Sequence, residues 1–318
     1  MTLSECAAWL RARDNFLIIT HRRPDGDTLG SAAALARALQ SLGKTAYVLE
    51  NPETTPRYLP FVRELHAPDD YAPDFVISVD IAALDLFPQN ANIYRSRVAL
   101  CIDHHPSNSL YSKDALVDHT RAACGELIFE LISLLGDLDV ATATALYVAV
   151  STDTGCFSYD NTTANTFYVA SKLAEAGAPV AELNRVLFRA KSRGRIAIEG
   201  VICSQMEFFY GNRAAVVIIT NEMTQRAGAD EDDLDNVAAI PVSVAGVEVG
   251  VTIRELAGPF DCKVSVRSAP GVNSNDVCAR FGGGGHSAAA GFARHEAAEK
   301  IKDRIVAVLA DFLPGDPA

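Results

Sequence analysis

Two runs of apolar residues, each ending on an aspartate, constrain the fold of this chain more than any other feature. The runs are Phe75-Val-Ile-Ser-Val-Asp80 and Val98-Ala-Leu-Cys-Ile-Asp103. Strands that are apolar along their whole length are typical of parallel sheets, which helices cover on both faces. Further strands are predicted at 16–20 and 45–49, with helical segments between them. The pattern predicts an α/β domain with a doubly wound parallel sheet.

The length of 318 residues predicts two domains. We predict a catalytic domain at 1–186, a basic connector with a linker helix at 187–210, and a smaller α/β domain at 211–318. The smaller domain has predicted strands at 214–220, 247–254 and 262–267 and a closing helix at 297–313. We interpret the cationic side chains of the connector as a solvated hinge, and we expect the active site in the cleft between the domains.

Charge and composition exclude several classes of function. The net charge of −12 disfavours binding of long nucleic acid, which needs an extended basic track, but not of a short anionic ligand. The sequence has no apolar run of membrane-spanning length, and its N-terminus lacks signal-peptide features. We therefore expect a cytoplasmic protein with no membrane partner. Seven cysteines without a CxxC spacing disfavour a zinc–thiolate site.

Aspartate and histidine follow predicted elements in four separate segments. A single segment of this kind does not need a functional explanation, because a residue such as Asp27, Thr28 or Asp153 could simply cap a helix. Together they occur in an order that a parallel sheet would bring to its carboxyl edge. Carboxylate and imidazole ligands without thiolates favour Mn²⁺, Mg²⁺ or a mixed dinuclear site, which suits phosphoryl transfer to water. The segments contain His21, Asp25 and Asp27; Asp80; Asp103, His104 and His105; and Asp153.

Five ordered motifs resemble the DHH phosphoesterase superfamily with its associated DHHA1 domain. They are HRRPDGDTLGS at 21–31, SVD at 78–80, the Asp103-His104-His105 tripeptide, TDTG at 152–155 and FGGGGHSAAAG at 281–291. Among the subfamilies, the chain is most similar to the bifunctional oligoribonuclease (nanoRNase) and pAp phosphatase group. The resemblance implies two divalent metal ions, with Mn²⁺ favoured and Mg²⁺ or Co²⁺ as alternatives. It also implies a homodimer.

The resemblance assigns a role to each residue of the first four motifs. One ion would be bound by His21, Asp25 and Asp80, and the other by Asp27, Asp80, His104 and Asp153. Asp80 would therefore bridge the ions, and it counts with His105 among the predicted catalytic residues. His105 would face the scissile phosphate, while Asp103 would orient the histidines.

The glycine run near the C-terminus has two interpretations. It is a flexible loop by default, but its backbone N–H groups could also converge on an anion. The resemblance assigns this loop to the terminal phosphate and the nucleotide of the substrate. Arg267 is the strongest partner for a bidentate grip on phosphate, whereas Arg254 is equally well explained as a surface residue. The predicted substrate-binding residues are Arg267, Ser268, Gly282, Gly283, Gly284, Gly285, His286 and Arg254.

These residues predict a dinuclear phosphoesterase that hydrolyses short oligonucleotides (nanoRNA) to mononucleotides and removes the 3′-phosphate of pAp. Metal-activated hydroxide would attack phosphorus in line, with His105 stabilising charge or protonating the leaving oxygen. One alternative is a phosphodiesterase of the same family acting on cyclic di-AMP or pApA. A family II inorganic pyrophosphatase has the same ligand set but a different, basic second-domain signature. A nucleotide-binding sensor without turnover is disfavoured by the intact ligand set.

Overall fold

The computed structural model describes residues 1–234, 236–258 and 260–313. The chain divides into two compact units, Met1–Ala190 and Lys191–Ala318. The last five residues of the domain predicted at 211–318 lie outside the described residues. Among the helices that are described, none combines the length and apolar composition needed to cross a bilayer.

The first unit contains a five-stranded sheet in which all neighbouring strands are parallel. Its strand order is β2-β1-β3-β4-β5. Strand β2 therefore lies on one side of β1, and β3, β4 and β5 follow one another on the other side. This confirms the predicted α/β class and parallel sheet. In such an order the switch point lies between β1 and β3, where open α/β sheets bind ligands. The strands are β1 (Phe16–Ile19), β2 (Ala46–Val48), β3 (Phe75–Val79), β4 (Val98–Asp103) and β5 (Asp114–Val117).

Helix α2 lies deepest among the helices of this unit, because small residues let it approach a neighbouring helix closely. A Cβ added to Gly30 would lie 2.4 Å from the carbonyl oxygen of Ala145 on α5. This close packing fixes the start of α2 relative to the end of α5. The helices are α1 (Leu3–Arg11), α2 (Gly26–Ser41), α3 (Leu59–Val62), α4 (Cys124–Leu135), α5 (Val140–Asp153), α6 (Ala164–Glu175) and α7 (Val180–Asn184).

The second unit is built on a six-stranded mixed sheet with the order β10-β11-β9-β8-β7-β6. Alternate residues of its central strands, including Val251 and Val264, pack into one core with two helices of the unit, while the intervening residues form a polar face. The strands are β6 (Glu207–Phe209), β7 (Ala214–Ile219), β8 (Val249–Glu255), β9 (Asp261–Ser268), β10 (Gly284–Gly285) and β11 (Ala289–His295). The helices are α8 (Arg193–Gln205), α9 (Asn221–Ala227), α10 (Ser274–Ala279) and α11 (Ala298–Leu309).

Strands β5, β6, β10 and β11 are not predicted from the sequence. Strand β5 is a short edge strand that pairs with β4. Strand β11 is rich in alanine and glycine, which have low β-propensity, yet it pairs with β9 over seven residue pairs. Its conformation is decided by the neighbouring strand. The linker helix predicted within 187–210 is observed as α8, which begins at Arg193 and ends at Gln205, before β6.

Candidate metal centre and phosphate-binding residues

The candidate ligands of the first unit lie at the carboxyl edge of its sheet, at the switch point between β1 and β3. Each follows the end of a strand or ends a helix, so the fold brings four distant segments together. His21, Asp25 and Asp27 follow β1, Asp80 follows β3, His104 and His105 follow β4, and Asp153 ends α5.

Helix α2 begins with two aspartates that have different roles. Asp25 caps the helix, because its Oδ1 accepts hydrogen bonds from the backbone N–H groups of Asp27 and Thr28, at 3.0 and 3.1 Å. The cap is therefore neither Asp27 nor Thr28, the two residues suggested by the sequence. Asp27 points inward and accepts hydrogen bonds from the N–H groups of Cys124 and Gly125, at 2.7 and 2.9 Å. These donors begin α4, whose N-terminus favours a negative charge.

The glycine between these aspartates is required by packing. Gly26 lies within the first turn of α2, and a Cβ added there would lie 2.3 Å from Thr152 Oγ1. Thr152 precedes Asp153, so the small residue lets two ligand-bearing segments meet.

Asp80 lies between His21 and His104. It adopts a left-handed conformation with φ of 59°, which costs roughly 1–3 kcal/mol in a residue other than glycine. The side chain is 3% exposed. Its Oδ2 lies 3.6 Å from His21 Nε2 and its Oδ1 lies 3.4 Å from His104 Nε2, so one oxygen faces each histidine. Among the described residues, no well-directed hydrogen bond reaches Asp80 Oδ1.

Backbone carbonyl groups fix the orientation of two histidine rings. His21 Nδ1 donates to the carbonyl oxygen of Arg22 at 2.8 Å, and His104 Nδ1 donates to that of Arg121 at 3.1 Å. A carbonyl oxygen can only accept, so each Nδ1 carries the proton and each Nε2 faces the carboxylates. This is the arrangement in which an imidazole binds a metal.

His105 is held through a side chain. Its Nδ1 donates to Asp103 Oδ1 at 2.8 Å, and Asn108 Nδ2 donates to Asp103 Oδ2 at 2.6 Å. The contact predicted between Asp103 and a histidine is therefore present, although the ring of His104 is oriented by a carbonyl group instead. The proton on Nδ1 leaves the Nε2 of His105 available to another group. The His105 side chain is 41% exposed.

The pKa values in the cluster reflect several carboxylates that lie close together, of which Asp27 and Asp80 are buried. Burial opposes the charged form of His21, but Asp25 and Asp80 outweigh it and raise the pKa of His21 to about 11. Burial is likewise outweighed at His104, whose pKa the neighbouring carboxylates raise to about 10. Burial and the charges of Asp80 and Asp153 raise the pKa of Asp27. The cluster thus attracts positive charge.

The donor set fits divalent cations. Three groups of side chains have ligand atoms that lie within 4.8 Å of one another in each group. Asp80 belongs to two of these groups, and His104 also belongs to two. A buried carboxylate oxygen without a hydrogen bond, surrounded by further carboxylates, needs a compensating cation. Oxygen and imidazole donors without thiolates match Mn²⁺ or Mg²⁺. The groups are His21 with Asp25 and Asp80; Asp27 with His104 and Asp153; and Asp80 with His104 and His105.

The N–H groups of the glycine run are engaged within the second unit. At least four of the five N–H groups at 282–286 donate to protein acceptors, so the predicted convergence of these groups on an anion does not describe this conformation. The glycines permit close approach instead, since a Cβ added to Gly283 would lie 2.5 Å from the carbonyl oxygen of Gly291. The acceptors are Ala279 O for Gly282, Cys278 O for Gly283, Asn275 Oδ1 for Gly285 and Ala289 O for His286. Gly284 lies in β10 and pairs with Gly291.

Three of the other predicted substrate-binding residues of this unit lie on β8 and β9, and His286 lies between β10 and β11. Arg267 lies beside Gly250 of β8 and Ala289 of β11, and its Nη1 donates to the carbonyl oxygen of Val266 at 3.1 Å. Arg254 forms an ion pair of 3.1 Å with Glu231. The Ser268 hydroxyl lies within 3.1 Å of three protein oxygens and is therefore engaged within the fold. His286 is exposed.

Sequence reasoning missed the groups that hold the ligands in position. They are the carbonyl group of Arg121, the N–H groups of Cys124 and Gly125, and the side chain of Asn108. Backbone groups have no residue-type signal. Only Asn108, five residues after Asp103, offers a side chain that the sequence could have indicated.

Two family models match most of the chain. Residues 15–152 match the DHH family, N-terminal domain, and residues 211–313 match the DHHA1 domain. A protein of Thermus thermophilus named bifunctional oligoribonuclease and PAP phosphatase NrnA is 35% identical over 278 residues, which cover 86% of this chain and 82% of that protein.

Solved structures share the fold. The crystal structure of an exopolyphosphatase-related protein from Bacteroides fragilis matches with a TM-score of 0.86 at 24% identity, covering 98% of this chain and 97% of that one. The crystal structure of exonuclease RecJ bound to manganese matches with a TM-score of 0.58 at 17% identity, covering 98% and 95% of the two chains.

Proposed function

Because the chain belongs to the DHH family and has the associated DHHA1 domain, we propose that it is a metal-dependent phosphoesterase that hydrolyses short oligonucleotides to mononucleotides and removes the 3′-phosphate of pAp. The name of the Thermus thermophilus relative supports this pair of substrates over cyclic di-AMP. The observation that carries the proposal is Asp80, whose two oxygens face His21 and His104 respectively.

The ligands divide between two divalent cations. His21 and Asp25 would hold one, Asp27, His104 and Asp153 would hold the other, and Asp80 would bridge them. The manganese-bound RecJ structure supports Mn²⁺ as the ion, with Mg²⁺ or Co²⁺ as alternatives. Such a pair of ions lowers the pKa of a water molecule and neutralises charge on phosphoryl oxygens. The homodimer and the cytoplasmic location stay predictions.

His105 acts on the substrate side of this centre. Its Nδ1 proton is held by Asp103, which leaves Nε2 to carry a second proton when the ring is charged. The hydrogen bond to Asp103 raises the pKa of His105 and so favours that charged form. The ring then donates a hydrogen bond to a phosphoryl oxygen or a proton to the leaving oxygen.

A panel assay tests the proposal. The purified full-length protein is incubated with Mn²⁺ or Mg²⁺ and, in parallel, with pAp, RNA and DNA of two to five nucleotides, cyclic di-AMP, pApA and pyrophosphate. We expect turnover of pAp and of short RNA. Turnover confined to cyclic di-AMP and pApA would support the cyclic-dinucleotide alternative, and binding without turnover would support a sensor.

A further inference from the structure

The segment at 154–163, which joins α5 to α6, folds back onto the end of α5, and we call it the return loop. The backbone N–H group of Tyr159 donates to the carbonyl oxygen of Thr154 at 3.1 Å. The ring of Tyr159 packs against Gly155, where an added Cβ would lie 2.4 Å from the nearest ring atom. The return loop thereby brings Asn161 back to the C-terminal end of α5.

The side-chain amide of Asn161 joins two distant parts of the first unit. Its Nδ2 donates to the carbonyl oxygen of Ala122 at 3.0 Å and to that of Asp153 at 3.1 Å. An amide nitrogen has two protons to donate and a carbonyl oxygen can only accept, so these contacts use both protons and fix which end of the amide faces them. The amide therefore ties the segment before α4 to the end of α5.

The segment around Ala122 orients two of the candidate metal ligands. On one side, the carbonyl oxygen of Arg121 accepts a hydrogen bond from His104 Nδ1 at 3.1 Å. On the other side, the N–H groups of the first two residues of α4 donate to the carboxylate of Asp27. A shift of this segment would turn the ring of His104 and move the carboxylate of Asp27. The second acceptor of the amide, Asp153, is itself a candidate ligand.

A buried carboxylate fixes the other end of the return loop. Glu126 on α4 is fully buried, and its two oxygens accept hydrogen bonds from Thr166 Oγ1 at 2.6 Å and from Asn165 Nδ2 at 2.8 Å. Both donors lie in the first turn of α6, directly after the return loop. The return loop is thus attached to α5 at its start and to α4 at its end. The amide of Asn161 is held between these two points, although the residue is exposed.

We propose that Asn161 is a positioning residue for one of the two metal ions, an inference that rests on the proposed function. The ion is the one whose ligands include Asp27, His104 and Asp153. The amide connects the backbone segments that carry or orient all three of these side chains. Among the described residues, no hydrogen bond links Asn161 to the segment of His21, so the other ion depends on it much less.

The experiment measures Mn²⁺ binding and needs no substrate. The full-length, chelator-treated protein is titrated with Mn²⁺ by calorimetry, and we expect the wild type to bind two ions. In Asn161→Leu, which keeps the approximate size of the side chain and removes both donors, one ion should bind about tenfold more weakly and the other as in the wild type. Tenfold is the lower end of the 10- to 100-fold cost of losing a group that orients metal ligands, because Asn161 acts through the backbone.

A second asparagine gives the matched control. Asn221 is also exposed, and its Nδ2 donates to the carbonyl oxygen of Leu256 at 2.9 Å, but both residues belong to the second unit. Asn221→Leu should bind both ions as the wild type does. In a kinetic version of the test, Asn161→Leu should raise the Mn²⁺ concentration for half-maximal activity about tenfold, while KM for pAp at saturating Mn²⁺ stays unchanged.

Thermal unfolding separates positioning from a general effect on stability. Without metal, Asn161→Leu should unfold at nearly the same temperature as Asn221→Leu, since both substitutions are at exposed positions. Mn²⁺ should raise the unfolding temperature of Asn161→Leu less than that of the wild type, because a more weakly bound ion stabilises less. Asn161→Ser, whose side chain is too short to reach both carbonyl groups, should give the same result and replaces the leucine variant if that protein does not fold.

Two results would overturn the proposal. One is wild-type affinity for both ions in a folded Asn161→Leu or Asn161→Ser protein. The other is an equal loss of affinity for both ions, which would indicate a general effect on the fold. Failure of the proposed function gives a different pattern, in which the wild type binds two ions but hydrolyses neither pAp nor short RNA. The Mn²⁺ titrations would still test the role of Asn161 in that case.

Discussion

The candidate metal ligands of the first unit come from segments that span residues 21 to 153, whereas the predicted substrate-binding residues Arg254 and Arg267 of the second unit lie on two adjacent strands. Parallel strands need long crossovers, so the first site is assembled from distant parts of the chain. In the antiparallel pair β8–β9, alternate residues meet on one face through register alone. The first site is held by hydrogen bonds to backbone groups, while the second depends on longer cationic side chains.

The largest effect is expected at Asp80, because both groups of metal ligands depend on it. Asp80→Asn should reduce hydrolysis to background and lower the content of both ions, as measured by elemental analysis of the purified protein. Asp85→Asn, in an exposed turn shortly after, is the matched control and should keep full activity. Substantial Mn²⁺-dependent activity in Asp80→Asn would contradict the bridging role.

A smaller effect is expected at Asp103, which contacts His105 and lies outside the proposed ligand sets. Asp103→Asn should lower kcat by about 10- to 100-fold, the usual cost of losing a partner that orients a functional histidine. Metal content should stay at the wild-type level, and the pH dependence of kcat should shift because His105 loses a charged partner. A parallel loss of metal would show that Asp103 supports the ligands instead.

The next effect tests the second unit. Arg267→Ala should raise KM for pAp and for short RNA by about tenfold through the loss of a charge-assisted contact, with the metals retained. Arg267→Lys should recover part of the loss, since it restores the charge but not the planar, bidentate group. Unchanged kinetics on both substrates would remove Arg267 from the binding site.

The smallest effect is expected at Glu231, the exposed partner of Arg254. Glu231→Gln should lower KM for a 5′-phosphorylated dinucleotide by less than about fivefold, because exposed ion pairs contribute at most ~1 kcal/mol. KM for the 5′-hydroxyl dinucleotide serves as the control within the same protein. A rise in KM for the phosphorylated substrate would mean that Glu231 orients Arg254 and does not compete with the phosphate.

The sequence by itself determined the class of the first unit and the residue types of its candidate metal centre. Apolar strands ending in Asp80 and Asp103 indicate a parallel sheet, and the carboxyl ends of such strands share one edge. Apolar strands and the Asp and His residues that follow them are local patterns. The sequence alone therefore indicates that ligands from four segments belong to one site. The strands at 16–20, 75–80 and 98–103 follow from the same patterns.

Tertiary structure alone decided which groups hold those residues and which polar face the second unit presents. The carbonyl group of Arg121 and the N–H group of Cys124 act through the backbone, which has the same chemistry at almost every residue and therefore no signal in the sequence. Arg254 and Lys263 are separated along the chain and lie opposite each other only through the register of β8 with β9. Register and packing are set by long-range pairing, which local residue patterns do not encode.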